Sequence, residues 1–162
     1  MTAIEMIRNT MTFCREVTLG YLNDLSDADL LIRSVPKSNH IAWMLGHMLG
    51  SECDMMSAMG HRMPALPPDF TEAYTKETAS SDNPANFLSQ PEYLDLLEKI
   101  RTATLAGLDT VSESDLDQPA PEVMREFAPT VGQVLMVIAL HELMHAAQFV
   151  PIRRKLGKEP LF

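Results

Sequence analysis

Four stretches of this 162-residue chain repeat their apolar residues every three or four positions, and no stretch alternates them at every second position. That period restricts the chain to helices, each with one face that must be covered. The first stretch runs from Ala3 to Leu25, with Ile4, Ile7, Met11, Cys14, Val17, Tyr21 and Leu25 on one broad face. Thr18 interrupts this face, and its hydroxyl can bond to a carbonyl one turn earlier. Ser26 then opens a short helical turn that ends before Pro36. The second long helix is expected from Ser38 or Asn39, both good capping types, to Met59, with Gly60 as its stop. The third runs from Pro91 or Glu92 to Leu108, and the fourth from Thr130 to Leu156, stopped by Gly157.

Residues 61–89 break the pattern with a Pro-rich and then a polar segment, expected to hold a short helix near Thr71 to Glu77. Four long amphipathic helices in one domain spanning residues 1–162 pack most simply as an all-α four-helix bundle. A connection as long as 61–89 can cross one end of the bundle, letting the second and third helices run in the same sense.

Composition narrows the partners. The formal charge is −9 and no segment gathers Lys and Arg into a stripe, so a nucleic-acid backbone is not an expected partner. No uninterrupted apolar run reaches the roughly 18 residues of a membrane span. The opening MTAIEMIRNTMTFC lacks the apolar stretch and cleavage site of a signal peptide. Cys14 and Cys53 lie in apolar helical patterns and read as buried free thiols in a reducing compartment. The cytoplasm is the expected location.

The chemistry gathers at three of the five histidines. Val134, Ile138, His141, His145, Gln148 and Ile152 form one stripe of the fourth helix. His141 and His145 therefore stand one turn apart, with Cβ atoms roughly 6 Å from each other, close enough to grip one divalent ion. His47 lies on an apolar face of the second helix and is the expected third ligand. Three neutral imidazoles around Zn²⁺ or Ni²⁺ leave coordination positions free, which suits a reactive site better than a structural one. His40, two turns before His47, reads as a cap or a pocket-rim residue.

HELMH, residues 141–145, also matches the His-Glu-x-x-His signature of metallopeptidases. The rest of a peptidase is missing: no further histidine follows His145, only Glu159 remains as a downstream carboxylate, and no strand could align a peptide. Glu142 is therefore expected to be a partly exposed helix residue or an acceptor that orients a ligand imidazole. Gln148, Asp54 and the more lateral Glu52 are further candidates to touch the site, and Trp43 either packs the ligand helix or contacts substrate.

The segments NHIAWMLGHMLGSE (Asn39 to Glu52) and TVGQVLMVIALHELMHAAQFVPIRRKLG (Thr130 to Gly157) resemble the DinB-like (DinB/YfiT-type) metalloenzyme family. Trp43 and His47 match that family's Trp-x-x-x-His element, and His141 and His145 its His-x-x-x-His element. Gln148, Arg153 or Arg154, and Leu156-Gly157 fit the continuation. Ala147 departs from the usual glycine, where a methyl group would narrow the helix packing. The resemblance implies an up-down-down-up bundle, frequently a homodimer, with His47, His141 and His145 on one metal, usually zinc or nickel.

It further implies an S-transferase that uses a low-molecular-weight thiol as co-substrate, with a small-molecule acceptor in a pocket shaped by the 61–89 connection. Two other readings use the same residues. One is a metal-dependent hydrolase of a small amide or ester, and the other is a non-enzymatic, metal-stabilised bundle that binds a ligand or partner.

Overall fold

The computed structural model, which describes residues 1–159 and 161, turns the periodic segments into helices α1 (Ala3–Leu22), α2 (Asp27–Leu30), α3 (Ile41–Ala58), α4 (Phe70–Ala73), α5 (Gln90–Leu108), α6 (Val131–Ala147) and α7 (Phe149–Lys155). Side chains satisfy the free N–H groups where the long helices start. Thr2 and Glu5 cap α1 reciprocally, and Thr130 and Gln133 do the same for α6. At α5 the Glu92 carboxylate accepts from both the N–H and the hydroxyl of Ser89.

Helix α3 begins later than expected. Its cap is His40, whose ring Nδ1 accepts the Trp43 N–H at 3.1 Å. Ser38 is not available as the cap because its hydroxyl donates to the Val35 carbonyl at 2.9 Å and holds the preceding turn. Thr18 bonds back to the Cys14 carbonyl at 3.0 Å, as its position on α1 required.

The fourth periodic segment is two helices, divided at Gln148. Pro151 explains the division, because it lacks the N–H that would bond to Ala147 and its ring crowds that carbonyl. By length and apolarity Val131–Lys155 could cross a membrane, with a mean hydropathy of 1.4 in its most apolar window. One side of it builds the bundle core, where Val134, Leu135, Ile138, Ala146, Phe149 and Ile152 are buried.

Two hydrophobic clusters reveal the helix directions. One joins the end of α1 (Tyr21, Leu22) to the starts of α3 and α5 (Ile41, Met44, Tyr93, Leu97) and to Phe149 and Ile152 after α6. The other joins the earlier α1 residues Met11 and Cys14 to the ends of α3 and α5 (Met56, Leu108) and the start of α6 (Val134, Leu135). α1 and α6 thus run one way and α3 and α5 the other: up, down, down, up.

The crossover between α3 and α5 is pinned where Tyr74 lies flat against Gly46. A Cβ on Gly46 would sit 2.1 Å from the Tyr74 ring, so only glycine admits it. The Tyr74 and Tyr93 hydroxyls share a buried 2.7 Å hydrogen bond, and burial raises both phenol pKa values. This fixes the crossover over the beginning of α3, beside the histidines.

Candidate metal centre

Helix α3 presents His47, and α6 presents His141 and His145 one turn apart. Their nearest ring nitrogens lie within 4.8 Å of one another. The Nε2 atoms of His141 and His145 are 3.1 Å apart. Two imidazole nitrogens bound tetrahedrally to one zinc would be about 3.3 Å apart for Zn–N bonds of about 2.05 Å. The rings of His141 and His145 each meet the His47 ring edge-on, at centroid distances of 5.0 and 5.2 Å.

Electrostatics favours the metal-binding form of all three rings. Burial lowers the pKa of each, and mutual repulsion among the rings lowers His141 and His145 further; His145 falls to about 4. They are therefore neutral near pH 7, with lone pairs available. Both the spacing and the donor chemistry fit a divalent ion.

The surrounding residues hold this geometry in different ways. The Trp43 ring stacks on His47, with centroids 5.0 Å apart and planes 9° from parallel. Its indole N–H donates to the Thr75 carbonyl at 3.2 Å, so the crossover steadies His47 through Trp43. His40 accepts from Trp43 N–H through Nδ1 and meets the Ser81 carbonyl through Nε2 at 3.0 Å, which makes Nε2 the protonated nitrogen. Both ring nitrogens are occupied, and His40 serves as a cap that ties α3 to the crossover.

Gln148 places its amide 3.3 Å from His145 Nδ1. The same amide nitrogen donates to the Met144 carbonyl at 3.4 Å, which ties Gln148 to the last turn of α6 beside the ring. Ala147 is exposed, so its methyl group does not narrow the packing as the family comparison of glycine and alanine suggested. Arg153, rather than Arg154, is the buried arginine; it donates to the Tyr21 carbonyl at 2.8 Å and pairs with Asp24.

A pocket of about 330 Å³ opens against the triad. His47 and His141 form part of its wall, with Asp54 and Ser51 from α3, Met55 and Val137 from the flanking helix faces, and Phe127 from the segment before α6. The crossover residues 61–89 do not line it. They were expected to shape the pocket, but they cover α3 at Trp43 and His40, and Phe127 fills the outer wall instead.

Glu142 is neither partly exposed nor directed at an imidazole. It is 2% exposed and belongs to a cluster with one charged residue from each long helix: Arg15 on α1, Glu52 on α3, Arg101 on α5 and Glu142 on α6. Arg101 grips Glu52 through Nε and Nη2 at 3.0 and 3.1 Å and also pairs with Glu142. Arg15 donates to Glu142 at 2.7 Å, while Thr104 donates to Glu52 at 2.7 Å. The spare guanidinium N–H groups reach the Leu97 and Met11 carbonyls. Burial alone would press Arg101 toward neutrality, but Glu52 and Glu142 outweigh it and its pKa is raised. Glu52, a candidate for the site, is likewise committed to this cluster. The residue-type pattern held one clue: Glu142 is the only charged residue from Val131 to Ile152.

Together these features define an all-α bundle with a three-histidine site, capable of holding a metal ion, between its second and fourth long helices. The DinB superfamily profile matches residues 10–149, and the chain belongs to that superfamily. A solved structure of a conserved protein from Enterococcus faecalis shares the fold, with a TM-score of 0.74 at 20% identity over 98% of this chain and 99% of that one. No curated protein matches the chain.

Proposed function

We propose that this protein is a metal-dependent enzyme that transfers a low-molecular-weight thiol onto a small electrophile, with zinc or nickel held by His47, His141 and His145. The observation that carries this reading is the side of the triad left open: His47 and His141 line both the ligand cluster and a pocket of about 330 Å³. A closed structural site would have no such approach.

A bound divalent ion supplies Lewis acidity, lowering the pKa of a thiol or water that enters the open side. The chain's own residues hold and shield the centre. Trp43 stacks on the His47 ring, Gln148 sits beside His145, and Met55, Val137 and Phe127 give the pocket an apolar wall. The protein's own thiols are poor candidates for the chemistry. Cys14 and Cys53 are both buried and burial raises both pKa values, Cys53 to about 12. A reactive sulfur would therefore have to come from a co-substrate.

The decisive experiment pairs metal analysis with turnover. Protein purified with zinc or nickel present should contain about one ion per chain, and its turnover of small electrophiles should require added thiol. Turnover without thiol would move the assignment to a hydrolase of small amides or esters. A full set of four protein ligands in a metal-bound structure, with no turnover, would make the protein a metal-stabilised binding bundle. Absence of bound ion, with a melting temperature indifferent to metal and to His141→Ala, would remove the metal reading altogether.

We also propose a homodimer. Met136, Leu140 and Met144 are all about half exposed and follow one another every four residues along α6. Light scattering at micromolar concentration should give twice the chain mass of 18.1 kDa, and Leu140→Glu should return the monomer.

A further inference from the structure

The pocket beside the triad has one kind of charge. Asp54 is the only acidic side chain among the described residues that line it, and no Lys or Arg does. Asp54 is exposed and stands seven residues along α3 from His47, about 10 Å of axial rise at 1.5 Å per residue. Ser51 stands between them on α3, and the rest of the lining is apolar, formed by Met55, Phe127 and Val137. Phe127 is 58% exposed, so an aromatic face is available to an entering molecule. The volume lies at the small end of the ~300–1,000 Å³ typical of ligand pockets.

Each end of the pocket has a distinct preference. Three neutral imidazoles around a divalent ion leave a net positive end, which favours one anionic donor atom such as a thiolate. The Asp54 end favours an ammonium group or a neutral hydrogen-bond donor. A second anionic group on the same molecule would find no cation there and would meet a carboxylate, on a chain already at −9.

We infer that this site selects small apolar molecules that carry one metal-binding donor and, at the far end, a cationic or neutral group, and that it discriminates against carboxylate-bearing thiols and acceptors. This rests on the reading that the triad holds a divalent ion. It adds Asp54 as the residue that sets charge specificity.

The test uses cobalt(II)-loaded protein and three phenylmethanethiols of the same body, with aminomethyl, methyl or carboxylate at the para position. Binding is read from the sulfur-to-cobalt charge-transfer absorption. The aminomethyl thiol should bind about fivefold more tightly than the carboxylate, as expected for one exposed charge contact, and the ratio should shrink at high salt. Asp54→Asn should bring the two together, and Asp54→Lys should reverse them. Glu98→Gln, at an exposed acid outside the pocket, should leave the ratio unchanged and so separate Asp54 from overall charge. Far-ultraviolet circular dichroism verifies that each variant is folded.

Equal binding of the aminomethyl and carboxylate thiols, or a ratio that ignores Asp54→Asn, overturns the inference while leaving the metal centre standing. Failure to take up cobalt overturns the metal reading and this inference with it. Cobalt uptake without a charge-transfer band for any thiol overturns this inference and the thiol-transfer reading while leaving the metal centre standing.

Discussion

His141 and Glu142 are neighbours in the chain, yet they belong to clusters built on opposite rules. Glu142 joins three other buried charges whose hydrogen bonds close on one another, on Thr104 and on backbone carbonyls. His141 joins two rings whose nearest nitrogens face each other and whose side opens to a pocket. The charged cluster takes one member from each long helix and sits between the two hydrophobic clusters. It therefore fixes the helices relative to one another. The histidine cluster draws on α3 and α6 alone and leaves its chemistry incomplete. A helical step of about 100° between consecutive residues lets α6 serve both.

The sharpest break in this comparison should come from the closed cluster. Glu142→Ala leaves Arg15 and Arg101 buried with one carboxylate between them and should cost about 3–5 kcal/mol in urea unfolding. Replacing all four members together by apolar residues of similar volume should cost much less, because no orphan charge remains. A loss near 0.5 kcal/mol for Glu142→Ala would show that the cluster is not load-carrying for stability.

Acid should act on the open cluster. His145 has a folded pKa of about 4 against an ordinary histidine value of 6.5, and His47 and His141 are lowered too. Between pH 6.5 and 4 the unfolded chain binds protons that the folded chain refuses. Stability of the metal-free protein should therefore be retained above pH 6.5 and fall as the pH drops toward 4, by on the order of 3 kcal/mol for His145 alone. Thermal melts across that range, repeated on His145→Ala, isolate the contribution. An unchanged slope in the variant would assign the acid sensitivity elsewhere.

Metal addition should separate the clusters cleanly. At a hundredfold excess over Kd, a divalent ion should add about 2.7 kcal/mol to wild-type stability. His141→Ala should lose most of that gain while leaving the metal-free stability within about 1 kcal/mol. Gly46→Ala sharpens the contrast from outside both clusters. Its methyl group must displace Tyr74, which should cost about 1–3 kcal/mol and loosen the crossover over Trp43. Metal affinity should weaken if the cover helps to position His47, and a full-affinity Gly46→Ala protein would show that it does not.

The two clusters were unequally legible in the sequence. His141 and His145 announce themselves because one helix brings residues four apart together, and His47 lies on an apolar face where an imidazole stands out. The charged cluster has no such local spacing. Arg15 pairs with residues 37 and 127 positions away, and charged residues in helices are ordinarily surface residues. The bundle and its long crossover followed from periodicity and segment lengths, but the break at Gln148 depended on weighing Pro151 against a strong apolar pattern. The start of α3 was misplaced by one or two residues because Ser38 and Asn39 are the usual small polar caps, whereas His40, read as a cap or rim residue, takes that role. Phe127 in the pocket could not be read at all, since its place depends on how an irregular segment folds back over α6.

Trp43 is the chain's single tryptophan, and it lies parallel to His47. The protein thus carries an optical probe already seated on its candidate metal centre. Excitation of the indole reads one ring pair, with no competing emitter of its kind to subtract. Paramagnetic nickel or cobalt should dim that emission, zinc should shift it without comparable loss, and the same cuvette can follow occupancy, exchange and displacement in real time.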